Sequence, residues 1–241
     1  MLIAIVRLVL LVCLILFGLV VGLLSFMIPG KLFRSIAQLW HKIVVSVVGV
    51  RCEVSGESPA TGVLMVGNHI SWLDITVMGS VCDAVFLSKR EVRSWPVLGY
   101  LVSRAGTLFI DRGSGAAAAT ELVGSTLERG QSVFIFPEGR TTDGLAVRKF
   151  HSRLFQAAVN SESGVQPVAL AYLDASGKFT ATPSYSGDRS FLESVWHTLK
   201  TGGIRARVHV FPVLAGQETR AQLAKDAEAQ VVTFRESLKS T

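Results

Sequence analysis

Cysteine is scarce in this chain: Cys13, Cys52 and Cys82 are the three among 241 residues. An odd count without metal-ligand spacing excludes a disulfide framework and points to a reducing, cytosol-facing compartment. Charge is sparse as well, at 17% of residues, and the stretch from Leu8 to Ile28 carries none. The basic residues are scattered, with no long lysine–arginine run and no basic motif interleaved with aromatics, so a nucleic-acid partner is not expected. There is no Gly-x-Ser-x-Gly elbow and no cysteine placed as a nucleophile, which argues against an acyl-enzyme of the hydrolase type. Nothing in the residues calls for a metal or a bound cofactor, and no internal repeat is present.

What remains is apolar and mildly basic. Mean hydropathy is +0.45 and the sequence pI is near 9.5, with 24 Lys and Arg against 18 Asp and Glu, a net charge of +6. That balance suits an anionic membrane surface or a phosphorylated substrate. The apolar excess sits at the N-terminus. The charge-free run from Leu8 to Ile28 can cross a hydrocarbon core of ~30 Å as a helix, ending at Pro29-Gly30. It is long for a signal peptide, and the residues from Ser25 to Pro29 form no small-x-small cleavage site, so a retained anchor is expected. Arg7 precedes the run and Lys31, Arg34, Lys42 and Arg51 follow it; if the run spans, the positive-inside rule places the bulk of the chain in the cytoplasm. Pro29-Gly30 equally suits a re-entrant pair entering one leaflet. From Lys31 to Val50, Leu32, Ile36, Leu39, Trp40, Ile43 and Val47 recur at helical spacing. A helix at the membrane surface, with Trp40 near the headgroups, and a helix packed on the rest of the protein both satisfy this pattern. Residues 1–50 are thus read as anchor and interfacial helix, and residues 51–241 as one catalytic domain.

From Arg51 onward, apolar runs of strand length alternate with helix-prone stretches. Strands are expected near 51–54, 63–66, 84–88, 107–110, 131–136, 165–173, 178–182 and 204–213, and helices over 75–81, 95–100, 114–127, 148–160, 189–200 and 217–238. The alternation predicts an α/β fold: a central mixed, largely parallel sheet flanked by helices.

One junction stands out. The apolar run Val63-Leu64-Met65-Val66 ends in Gly67-Asn68-His69-Ile70-Ser71-Trp72-Leu73-Asp74. Residues five apart on a helix do not share a face. A contact between His69 and Asp74 therefore requires His69 in the turn and Asp74 in the first helical turn, with Ser71 as N-cap. In one reading Asp74 only caps the helix. In the other it accepts a hydrogen bond from one ring nitrogen of His69 and leaves the second basic. Two further strands end in Asp111-Arg112 and in Phe136-Pro137-Glu138-Gly139-Arg140. If these strands are parallel neighbours, one crevice gathers an imidazole, its carboxylate and two guanidiniums, a general base beside an anion clamp.

In order and spacing, these blocks resemble the PlsC-type glycerolipid acyltransferases. Asn68 to Asp74 resembles the NHxxxxD motif, Gly106 to Arg112 the second block, Phe136 to Arg140 the FPEG-[TS]-R block, and Val165 to Val168 the fourth. The resemblance implies transfer of a fatty acyl group from acyl-carrier protein or acyl-CoA to a lysophospholipid hydroxyl, with no cofactor. It implies His69 as general base and Asp74 as its orienting partner. Arg112, Glu138, Gly139 and Arg140 would hold the acceptor headgroup, Pro167 would shape the donor side, and Asn68, Gly106 and Thr107 would also bind substrate. Backbone N–H groups near Gly139 are candidates for an oxyanion site. Two departures matter. Arg140 follows Gly139 directly, and Phe150-His151-Ser152 stands where Phe-Lys-x-Gly is common. The second, with Gln166 to Tyr172, resembles members acting on lyso-ornithine lipid, which carries no phosphate. A membrane-bound thioesterase using water at the same histidine, and a non-catalytic lipid-binding scaffold, are the readings from other classes.

Overall fold

The structure, a computed structural model, describes residues 1–111, 115–215 and 219–239. Its centre is one seven-stranded sheet in the order β1-β7-β6-β2-β5-β3-β4. The strands are β1 (Val50–Gly56), β2 (Leu64–Gly67), β3 (Ala84–Lys89), β4 (Leu108–Ile110), β5 (Ser132–Ile135), β6 (Val165–Leu173) and β7 (Ile204–Val210). Every neighbouring pair is parallel except β6 and β7. The mixed, largely parallel sheet expected from the alternation of elements is therefore what forms.

Alternation along each strand sorts side chains between two layers. Met65 of β2, Phe134 of β5 and Leu170 and Tyr172 of β6 join one core cluster. Leu64 and Val66, Val133 and Ile135, and Val165 and Ala169 join the other. Helices α1 (Leu2–Leu23), α2 (Gly30–Val47), α3 (Leu73–Val81) and α8 (Phe191–Thr201) lie with the first, and α6 (Gly115–Glu128), α7 (Phe155–Asn160) and α9 (Arg220–Ser237) with the second. Two short helices, α4 (Arg90–Arg93) and α5 (Leu98–Arg104), bridge β3 and β4. All nine residues of β6 are buried. Pro167, which has no N–H to give a ladder, sits just before the β6–β7 pairing starts at Val168, and its carbonyl accepts the Phe211 N–H at 3.0 Å.

Helix α1 starts earlier than the charge-free run and takes in Arg7. Together with a 3₁₀ turn it forms a 26-residue helical segment, Leu2–Met27, long and apolar enough to cross a membrane. It is docked on the domain at points spread along its length. Arg7 donates to the Leu199 carbonyl at 2.9 Å, the Trp40 indole donates to the Leu14 carbonyl at 2.8 Å, and Arg104 donates through Nε to Ser25 Oγ at 2.8 Å. Trp40 is thus turned onto α1. The opposite face of α1 leaves Val9, Leu16, Phe17, Val20 and Leu23 exposed.

Two expected elements are absent as such. Residues 148–151 form no helix and are followed by a 3₁₀ turn and only then α7, because their backbone donors go outside a helix: Arg148 N to Glu138, Phe150 N to Glu228 and His151 N to the Pro137 carbonyl. Residues 178–182 make only a bridge, Phe179 with Leu173. The start of the closing helix at Gln217 lies outside the described residues, and α9 is described from Arg220.

Helices α2 and α3 pack closely because Gly79 has no side chain. A Cβ there would lie 2.5 Å from His41 Cδ2 and 2.7 Å from its Nε2. Gly79→Ala, despite its higher helix propensity, is expected to lower stability by ~1–3 kcal/mol through overpacking, measured by chemical denaturation in detergent.

Candidate active site

The end of β2 delivers the histidine. Gly67 closes the strand, and Asn68 then continues the pairing with its side chain: its amide donates to the Leu170 carbonyl at 2.8 Å and accepts from the Leu170 N–H at 2.9 Å. His69 follows in the turn and α3 begins at Leu73, as the five-residue spacing to Asp74 requires. His69 Nδ1 lies 2.7 Å from Asp74 Oδ2. With Nδ1 donating to the carboxylate, Nε2 carries the free lone pair. The ring stacks on Phe136, 4.1 Å between centroids, and its side chain is 15% exposed.

Asp74 is 0% exposed. Its Oδ2 also accepts the N–H groups of Ile70 at 2.6 Å and Ser71 at 2.9 Å, and its Oδ1 accepts the Tyr172 hydroxyl at 2.8 Å. Capping and pairing therefore coexist. The carboxylate reaches back to the Ser71 N–H as the acid of a capping box does, and the Ser71 hydroxyl accepts from the Leu73 N–H at 3.0 Å, but the N-cap of α3 is Trp72, one residue later than expected, and it makes no side-chain cap bond.

The end of β5 supplies the frame. Both oxygens of Glu138 are engaged with backbone: Oε2 accepts the His69 N–H at 2.7 Å, and Oε1 the Arg148 N–H at 2.7 Å. Burial pushes the Glu138 carboxyl up to about 7, against the pull of those two N–H groups. Thr142 holds the other side of the same residue, giving its N–H (2.8 Å) and its hydroxyl (3.0 Å) to the His69 carbonyl. Gly139 sits at φ +73°, in the left-handed region. Its N–H bonds the Phe136 carbonyl at 3.2 Å, so that amide is engaged in the turn. A Cβ at Gly139 would meet His151 Cδ2 at 3.6 Å. Arg140 is exposed.

The other expected residues fall elsewhere. Pro167 lies in β6, level with Val66 of β2. Gly106, in a turn at φ +85°, and Thr107 precede β4, whereas His69, Glu138 and Gly139 follow β2 and β5. Strand β4 is the sheet edge, two strands beyond β5. Arg112 lies outside the described residues; its neighbour Asp111 pairs with Arg90 at 2.6 Å. Tyr172 and Thr142 were not singled out from the sequence. A phenol inside a buried, largely apolar strand is the one available signal for Tyr172. Thr142 had none.

Glu138→Gln keeps one acceptor oxygen and turns an amide N–H₂ toward a backbone N–H. The expected result is a loss of about tenfold to a hundredfold in kcat/KM as His69 shifts. A carboxyl whose folded value of about 7 exceeds its ordinary 4.5 holds its proton in the folded state across that window. Its contribution to stability falls as pH rises through it. The stability difference, wild type minus Glu138→Gln, should decline from pH 4.5 to pH 7, measured by paired denaturation curves.

The sequence matches the family described as Acyltransferase over residues 50–171. The lyso-ornithine lipid O-acyltransferase of Pseudomonas aeruginosa is 37% identical over 212 residues, 85% of this chain and 81% of that protein. The 1-acyl-sn-glycerol-3-phosphate acyltransferase of Neisseria meningitidis serogroup B is 38% identical over 200 residues, 81% and 78% of the two chains. In fold, the crystal structure of the 1-acyl-sn-glycerophosphate acyltransferase PlsC from Thermotoga maritima covers 98% of both chains at a TM-score of 0.70, with 18% identity. A family match over half the chain and two relatives above 30% identity, each over most of its length, make this protein a member of the PlsC-type acyltransferase family and an O-acyltransferase.

Proposed function

We propose that this acyltransferase moves a fatty acyl group from a thioester donor, acyl-carrier protein or acyl-CoA, to the free hydroxyl of a lysolipid. The observation that carries this reading is the His69–Asp74 pair, 2.7 Å apart, with Nε2 unengaged among the described residues. In this mechanism Nε2 takes the hydroxyl proton as the acceptor oxygen attacks the thioester carbonyl. The tetrahedral intermediate collapses with cleavage of the C–S bond, and the thiolate leaves with the proton carried by His69. Asp74 keeps the ring in the required tautomer and orientation throughout.

The favoured acceptor is 1-acyl-glycerol-3-phosphate, giving phosphatidic acid, with Arg112 and Arg140 at the phosphate. Lyso-ornithine lipid is the second reading. It is supported by His151, which stands beside Gly139 where the family commonly has lysine, and by the Pseudomonas relative's name. Helix α1 is assigned to membrane attachment, with the catalytic domain on the cytoplasmic side. Because α1 is docked along its length, insertion of its free apolar face brings the domain itself to the lipid.

A panel of lysophosphatidic acid, other lysophospholipids and lyso-ornithine lipid, each with labelled acyl-carrier protein or acyl-CoA, tests the assignment. Acyl transfer that requires an added lysolipid is expected. Release of free fatty acid with water as acceptor instead would establish a thioesterase. His69→Ala should lower transfer by about 10²–10⁴-fold while fold and membrane attachment persist, and undiminished transfer would overturn the general-base role.

A further inference from the structure

We propose that Tyr172 is a positioning residue of this reaction: its hydroxyl fixes the Asp74 carboxylate and shares its charge, and so governs how readily His69 takes a proton. The inference rests on the reading of His69 as the base.

Tyr172 lies 98 residues from Asp74 in sequence, on β6, and its side chain is 1% exposed. The four hydrogen bonds on Asp74 are unevenly divided. Oδ2 receives three, from His69, Ile70 and Ser71. Oδ1 receives one among the described residues, from Tyr172. Without that hydroxyl, Oδ1 is bare in a water-free interior, and the carboxylate is free to rotate and exchange its oxygens among the donors of Oδ2. The phenol also draws off negative charge that would otherwise stabilise a protonated His69.

The position of Tyr172 is itself set by the site. Asn68, the residue before His69, locks its amide onto the backbone of Leu170. Leu170 and Tyr172 project to the same face of β6. The same strand segment that receives Asn68 therefore presents Tyr172 to Asp74, and two rungs of β6 fix both ends of the His69–Asp74 turn. For packing alone a phenylalanine would suffice.

The titratable groups around the pair are few. Glu138 lies on the His69 side. Cys52 of β1, whose thiol burial keeps neutral, is near enough to Tyr172 to act on it electrostatically. Burial first, and the charge of Asp74 second, hold the phenol well above its ordinary value, so it remains a donor over the working pH range.

The test compares pH–rate profiles of full-length wild type, Tyr172→Phe, and protein with 3-fluorotyrosine placed at position 172, with His69→Ala as control. Tyr172→Phe should lower kcat about tenfold with KM for donor and lysolipid unchanged. The acid limb should move up by about one pH unit, because the pair binds its proton more tightly when Asp74 loses a donor. Fluorotyrosine, a stronger donor, should move the limb down. A packing role moves neither limb. Wild-type kcat and acid limb in Tyr172→Phe would overturn the proposal, as would a fluorotyrosine limb that does not move if the phenylalanine variant fails to fold. Activity surviving in His69→Ala would instead remove the base reading beneath it, so the two failures are distinct.

Discussion

A carboxylate with no solvent exposure must be held by hydrogen bonds or it takes a proton. Asp74 meets that condition with donors from two separate parts of the fold: the turn between β2 and α3, which gives His69, Ile70 and Ser71, and β6, which gives Tyr172. The pair it forms with His69 is consequently a product of sheet register. Shift β6 by one residue against β2 and Tyr172 turns to the other layer, while Asn68 loses the rung it occupies. The turn that carries His69 is short because the sheet already fixes both of its ends.

The second support comes from β5, and it acts on backbone rather than on the ring. Glu138 accepts the N–H of His69 and Thr142 donates to its carbonyl, so both peptide groups of His69 are clamped from one loop. Phe136 of the same loop lies flat under the imidazole. Glu138 does this at a cost in ionisation, since its burial opposes the charge that two N–H groups favour. The same carboxylate carries the pull outward to Arg148. That bond, with those of Phe150 and His151, is why residues 148–151 form no helix although their sequence reads as one. In this fold the segment next to Glu138 and Pro137 is shaped by tertiary partners that outweigh its helix propensity.

What could be read from the chain was what is local. The strand–turn–helix carrying His69 and Asp74 was legible because the pair, the cap and the apolar periodicity all lie within a dozen residues. The two-layer α/β sheet was legible from the alternation of elements. Strand order was not. The three strand ends treated as neighbours include β4, which the order of the sheet moves to its far edge. Gly106 and Thr107 enter that strand rather than leave it, since a block matched in sequence spans the whole strand and does not say which end faces a ligand. Asn68 and Glu138 were picked out as substrate contacts. Their amide and carboxylate are engaged with the backbone of Leu170, His69 and Arg148, partners that only the folded register supplies. Tyr172 answers to Asp74 across 98 residues, a distance at which pattern carries no information.

Helix α1 extends the same logic to the membrane. A free anchor needs only length and apolarity, and a helix joined by a flexible linker would leave the catalytic domain's orientation open. Here the indole of Trp40 holds the middle of α1 against α2, Arg7 holds its first turns against the last carbonyls of α8, and Arg104 of α5 holds its end through Ser25. Each contact uses a polar group that would be costly to leave unpaired in hydrocarbon, so each is stronger as a constraint where lipid replaces water. Helix α3, which carries Asp74, packs on α2 through the slot left by Gly79. Packing contacts therefore run from α1, whose opposite face is exposed and apolar, through α2 and α3 to the carboxylate bonded to His69. A bilayer that took up the free face of α1 would therefore set the orientation of the His69–Asp74 pair as well.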